Sequence, residues 1–175
     1  MRATTSSGCA RRASAGSPAP DRSPDSVPVH SEQRVLPHRV EQIFDLVADV
    51  ARYPEFLPWC VAARIVSRDE TRMRAELAIG FKGIRERFTS LVALDRPNLR
   101  IDVNYENGPF KYLVNHWRFE PVGEGSCRIH FHIDFAFRSR ILELLMGKLF
   151  DEAVRRMVRA FEQRADALYG ANGAV

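Results

Sequence analysis

Cysteine is scarce in this chain. There are three, Cys9, Cys60 and Cys127, and their odd number and wide spacing give neither a disulfide framework nor a zinc-binding pattern. A reducing compartment is the simplest expectation. Long apolar runs are missing as well. None approaches the ~20 residues that a membrane-spanning helix requires, so the chain is expected to lie on a bilayer at most. Catalytic signatures are absent: no G-x-S-x-G elbow, no Walker loop and no Rossmann glycine pattern occurs. The acids Glu86, Asp102, Glu106 and Asp134 read as spread along outward strand faces. Nothing pairs a nucleophile with a base at readable spacing, and catalysis is not expected. Charge of one sign does not dominate either. The net charge is +4, with arginine as the main base, which suits an anionic partner such as a membrane surface or RNA; DNA is not expected.

Large apolar side chains are also scarce in residues 1–27, "MRATTSSGCARRASAGSPAPDRSPDSV". Such a segment cannot bury enough surface to offset its ordering entropy, and a disordered tail is expected. Its first twenty residues carry Arg2, Arg11 and Arg12 and no acid, as in an organelle transit peptide. Three readings stay open: a targeting segment, a tail without function, or a start codon placed too far upstream. Residues 28–170 then form one domain, and 171–175 a flexible end.

What is present is a change of period. "VHSEQRVL" at 29–36 reads as a strand and ends at Pro37, a good first-turn helix residue. In "PHRVEQIFDLVADV", Val40, Ile43, Phe44 and Val47 recur at helical spacing. "ARYPEFLPW" breaks that helix, because Pro54 and Pro58 bias Tyr53 and Leu57 away from helical backbone. From residue 61 the period is two. Met73, Ala75, Leu77 and Ile79 share one face; so do Ile84, Phe88, Val92 and Leu94, then Ile101, Val103 and Tyr105. "CRIHFHIDFAF" is the cleanest case, with Cys127, Ile129, Phe131, Ile133, Phe135 and Phe137 against Arg128, His130, His132 and Asp134. With "VAARIVSR" and "YLVNHWRFE" this makes six half-wet strands after the first helices and one before them. Turn clusters "GFKG", "DRPN", "ENGP" and "PVGEGS" separate them.

A long helix closes the chain. Between Ile141 and Tyr169 there is no proline, and Leu142, Leu145, Leu149, Ala153, Met157, Phe161, Ala165 and Leu168 fall at spacings of three and four. At 1.5 Å per residue it spans roughly 43 Å. The expected architecture is α+β: a seven-stranded, curved antiparallel sheet gripping this helix, each burying its apolar face on the other. Where the two do not touch, a cavity for an apolar ligand is expected.

Several segments carry a resemblance. "VADVARYPEFLPWC" at 47–60, "LAIGFKGIRERFTS" at 77–90, "GPFKYLVNHWRFEP" at 108–121 and "CRIHFHIDFAFRS" at 127–139 are similar to the coenzyme Q-binding family of START-like, helix-grip proteins. That family belongs with the polyketide cyclase/dehydrase-like proteins and includes proteins described as the ribosome association toxin RatA. "YPEFLPWC" after a helix ending "VADV" is the most specific element. The resemblance implies non-catalytic binding of ubiquinone or another polyprenyl lipid under the last helix, in support of respiratory electron transfer and quinone biosynthesis. Ubiquinone is then a bound ligand, and no cofactor is implied. The arginine-rich composition and the weak transit signal point to a cytoplasmic site, at the inner face of a bacterial inner membrane, with the matrix side of the mitochondrial inner membrane as the alternative. The alternative activity is a ribosome-binding inhibitor of translation.

The candidate pocket residues are Phe56, Trp59, Val103, Tyr105, Leu113, Trp117, Phe131, Phe135, Leu145, Leu149, Met157 and Phe161. Each would be equally at home in a solid core. Two tips place an aromatic beside a lysine, Phe81 with Lys82 in the glycine-bracketed "IGFKGI" and Phe110 with Lys111 in "GPFKY"; both suit contact with a membrane interface. Arg72, Arg74, Arg85 and Arg87 form a candidate RNA-facing stripe, diluted by Glu76 and Glu86. His130, His132 and Asp134 alternate on one strand face, which is expected to be wet and too shallow to close a metal site. His116 is placed beside Trp117, either as a donor to a quinone oxygen or as an ordinary half-buried histidine.

Overall fold

The computed structural model describes residues 29–81 and 83–170. Lys82, the side chain of Phe81, the tail at 1–27 and the end at 171–175 lie outside the described residues. The elements run β1 (Val29–Leu36), α1 (Val40–Ala48), a 3-10 turn (Val50–Arg52), α2 (Tyr53–Phe56), β2 (Cys60–Arg68), β3 (Arg72–Phe81), β4 (Ile84–Asp95), β5 (Arg100–Asn107), β6 (Phe110–Pro121), β7 (Cys127–Phe137) and α3 (Arg140–Tyr169). The seven strands form one sheet in the order β1-β7-β6-β5-β4-β3-β2, antiparallel at every pairing. The expected helix-grip architecture is the one observed. No helix among the described residues is long and apolar enough to cross a membrane.

Helix α1 starts at Val40 rather than at Pro37. The residue between them explains this: His38 turns inward, 1% exposed, and its Nε2 lies 2.8 Å from Asp166 Oδ1 near the end of α3. The Arg39 backbone N–H instead donates to the Gln42 side chain at 2.9 Å, closing the first turn. Val40, Ile43, Phe44 and Val47 are buried, as their spacing predicts. Between β2 and β3, the Asp69 carboxylate accepts the backbone N–H groups of Thr71 and Arg72 at 2.9 and 2.8 Å. Those two bonds hold its pKa below the usual carboxylate value.

One glycine decides where a side chain goes. Gly108 has φ of 137°, and a Cβ there would sit 2.7 Å from the Arg87 carbonyl oxygen and from Phe88 Cβ. Its backbone lies directly on β4, beside a bulge between Thr89 and Ser90. The chain then re-enters the sheet, and Phe110 points inward, 4% exposed. It stacks on Phe137 at 4.8 Å between ring centroids and meets Phe88, Tyr105 and Phe135 edge-on. The expected membrane contact by Phe110 is therefore corrected; Lys111 beside it is exposed.

The apolar side chains gather in two groups. The larger joins α1, the opening of β2, the concave sheet face and the C-terminal half of α3, through Phe44, Ile101, Trp117, Phe119, Phe161 and Ala165. The smaller centres on Phe110, Leu113, Phe135 and Phe137, with Leu142, Met146 and Phe150 of α3 packed against it. Helix α3 is anchored where Val154, Ala160, Phe161 and Ala165 are buried. Its first turns present Ile141 (72% exposed), Leu144 (70%) and Leu145 (45%) outward.

Candidate functional site

Between the concave face and the middle of α3 there is a cavity of about 170 Å³. The sheet supplies most of its wall: Trp59 at the entry to β2, Ile79 on β3, Ile84 and Phe88 on β4, and Phe110, Leu113, Phe131, Ile133, Phe135 and Phe137 on β6 and β7. From α3 come Met146, Phe150, Ala153, Val154 and Met157. These positions follow from register: Leu113 pairs with Phe135 and Trp117 with Phe131 across β6 and β7, while Ile79 pairs with Glu86 across β3 and β4. The wall is apolar and aromatic apart from Glu86. The volume is below the roughly 300–1,000 Å³ of drug-sized pockets. The space admits a ring or the end of a chain.

Of the expected pocket residues, Trp59, Leu113, Phe131, Phe135 and Met157 line this cavity. Phe56 does not: it packs edge-on against Tyr53 and Phe161 at 5.8 and 5.1 Å, as core. Trp117 and Phe161 meet each other at 5.6 Å beside a separate void of about 40 Å³. Val103 packs on the larger core and Tyr105 on the smaller one, both off the wall. Leu149 is half-buried and also off the wall. Leu145 faces out. The reason is a second apolar stripe in α3 that spacing alone did not separate from the first. Met146 and Phe150, one position on from Leu145 and Leu149, turn inward, and the Phe150 ring meets Phe135 at 5.4 Å and His30 at 6.1 Å.

Glu86 is the other correction. Strict alternation from Ile84 to Phe88 puts it on the inward face, and it lies on the cavity wall rather than outside. Ser90 follows the same alternation and is 1% exposed. The Ser90 Oγ, Tyr105 hydroxyl and Asn115 Oδ1 atoms are buried without hydrogen-bond partners among the described residues; the sheet interior is less purely apolar than its large residues suggest.

His116 sits on the convex face, off the cavity wall, where its Nδ1 lies 2.6 Å from Asp102 Oδ1. Asp102, His116, His132 and Ser31 occupy one row across β5, β6, β7 and β1; His132 Nδ1 lies 2.7 Å from Ser31 Oγ. Asp134 accepts instead from the Tyr112 hydroxyl at 3.0 Å, and His130 lies 3.1 Å from Glu120. Among the described residues no three His, Cys, Asp or Glu side chains converge as a metal site would require. The arginine stripe is interrupted from the sides: Glu76 is shared by Arg64 at 3.1 Å and Arg87 at 3.9 Å, and Arg74 pairs with Glu106 at 2.5 Å. Burial pushes the Cys60 and Cys127 thiols up to about 11, so neither is poised as a nucleophile. Burial likewise raises the Tyr53 phenol, whose hydroxyl donates to the Val47 carbonyl at 2.7 Å.

Comparison with known proteins agrees with this architecture. The family model described as "Polyketide cyclase / dehydrase and lipid transport" matches residues 36–162. The ribosome association toxin RatA of Pseudomonas aeruginosa is 43% identical over 136 residues, covering 78% of this chain and 94% of that protein. The mitochondrial coenzyme Q-binding protein COQ10 homolog B of Xenopus laevis is 36% identical over 144 residues, 81% of this chain and 59% of that protein's length. Among solved structures, an 18 kDa protein of Caulobacter crescentus is 39% identical with a TM-score of 0.68, covering 82% of this chain and 99% of that one. Sequence and fold together place the chain in the polyketide cyclase/dehydrase and lipid transport family.

Proposed function

We propose that this protein is a non-catalytic carrier for a polyprenyl lipid of the ubiquinone class, loaded and unloaded at a membrane surface. The observation that carries the reading is the cavity wall, aromatic and aliphatic on both sheet and helix with one ionisable group. An isoprenoid chain has no polar group to satisfy and needs only such a wall; a quinone ring adds an aromatic face. A lone carboxylate without a second acid, base or nucleophile on the wall gives chemistry little to work with. The Xenopus relative, named for coenzyme Q binding, points the same way.

The route to a membrane lies beside the cavity. Ile141, Leu144 and Leu145 stand out from the first turns of α3. Arg138 donates its N–H to Pro109 O at 2.9 Å and its Nε–H to Phe110 O at 2.8 Å. That brings exposed Lys111, Arg138 and Arg140 around the apolar patch. Apolar side chains rimmed by bases suit the interface of an anionic bilayer, here the cytoplasmic face of a bacterial inner membrane or the matrix side of the mitochondrial one. The test is to purify the protein, extract it with organic solvent and analyse the extract chromatographically. A quinone in the extract, with rebinding of decylubiquinone to the stripped protein, is expected; an empty extract with no rebinding contradicts the proposal.

A second reading, association with the ribosome, is favoured by the name of the Pseudomonas relative and by arginines on the convex face. It predicts co-sedimentation with ribosomal subunits that moderate salt releases. The pairing of Arg64, Arg74 and Arg87 with carboxylates leaves fewer unneutralised charges for that role.

A further inference from the structure

Glu86 is an anomaly that lipid carriage alone does not explain. It stands on β4 between Ile84 and Phe88 on the concave face, opposite Ile79, and its side chain is half-buried on the wall of an otherwise apolar cavity. Among the described residues its carboxylate makes no hydrogen bond or ion pair. The described neighbouring bases do not reach it: Arg85 and Arg87 alternate to the convex face, where Arg87 lies 3.9 Å from Glu76. A carboxylate held against apolar and aromatic groups without a partner is costly, and an isoprenoid tail gives it nothing in return.

We infer that Glu86 makes the cavity selective for a ligand whose polar end donates a hydrogen bond, so that of a quinone couple the reduced, hydroxyl-bearing form binds more tightly than the oxidised form. This rests on the proposed lipid-carrier function and specifies its ligand. An ionised carboxylate only accepts hydrogen bonds. A benzoquinone head also only accepts, so its carbonyl oxygens meet Glu86 acceptor to acceptor. A hydroquinone presents two O–H donors, and one of them satisfies the orphaned carboxylate. Anionic heads, such as a fatty-acid carboxylate or a phosphate, are disfavoured by the same charge. A hydrogen bond to a charged partner is among the stronger ones, and the preference expected is about ten- to hundredfold in dissociation constant.

The test is anaerobic titration calorimetry of the full chain with decylubiquinol and with decylubiquinone, repeated with Glu86→Gln. The wild-type protein should bind the quinol at least about tenfold more tightly, and Glu86→Gln should shrink that ratio to within about threefold. Equal affinities in the wild type overturn the inference and leave the carrier function standing; so does a preference that survives in Glu86→Gln. Binding of neither form overturns the carrier function itself. Should Glu86→Gln fail to fold, the wild-type protein is titrated with farnesol and with farnesoic acid at neutral pH. Tighter binding of the alcohol is expected, and equal or tighter binding of the acid contradicts the role given to Glu86.

Discussion

Ala153→Phe should make the protein more stable and unable to bind its ligand. Ala153 sits mid-helix on α3, on the wall of the 170 Å³ cavity that Phe135 and Leu113 also line. A phenyl ring there fills on the order of half that space. At roughly 24 cal/mol per Å³ of void removed, the gain is about 2 kcal/mol, close to the range for burying an aromatic side chain. For a domain of this size each kcal/mol moves the melting temperature by about 2–4 °C, so a rise of about 4–8 °C is expected by calorimetry or circular dichroism. Decylubiquinone titration of the same variant should show affinity reduced at least about tenfold. Were the space already filled by side chains, the added ring would overpack the core and cost about 1–3 kcal/mol instead. A lowered melting temperature, or undiminished binding, refutes the reasoning.

Further outcomes are expected. Phe161→Ala removes the ring on which Tyr53, Phe56 and Trp117 all pack and should lower stability by about 3–5 kcal/mol in urea unfolding. Replacing Ile141 and Leu144 together by Asp should reduce sedimentation with anionic vesicles several-fold, with the melting temperature nearly unchanged because both side chains are exposed. Leu145→Lys, likewise at the surface, should retain bound lipid. In a Cys9→Ser variant, Cys60 and Cys127 should resist Ellman's reagent at pH 8 until urea is added. Their thiols ionise at about 11 when folded against 9.0 otherwise. The unfolded chain therefore loses these protons first, and their contribution to stability is intact below pH 9 and fades towards pH 11 in an alkaline unfolding series.

Periodicity made the sheet legible. Alternation from Met73 to Ile79, from Ile101 to Tyr105 and from Cys127 to Phe137 gave the correct inward faces, because one side of each strand is buried and register is then strongly specified. The same rule, applied to every second residue of β4, puts Glu86 and Ser90 inside between Ile84, Phe88 and Val92; reading only the large apolar residues of that strand passes over both. Helix α3 was legible in extent but not in rotation near its start. Leu145 with Leu149 and Met146 with Phe150 are equally spaced stripes, and only the tertiary contact of Phe150 with Phe135 chooses between them. Phe110 escaped because the turn containing Gly108 reads as an exposed tip, whereas its close approach to Arg87 and Phe88 turns the next aromatic inward. "RYPEFLPWC" divides between the two expectations: Phe56 is core, and Trp59 lines the cavity.

The most direct measurement follows the methionine methyl groups. Of the four methionines, Met146 and Met157 line the cavity, while Met73 is buried in the core away from it. In a titration of methyl-¹³C-methionine protein with decylubiquinol, monitored by NMR, the Met146 and Met157 signals should shift saturably while Met73 stays in place. Saturable binding that moves Met73 and leaves Met146 and Met157 unchanged would put the ligand elsewhere and contradict a lipid cavity under α3.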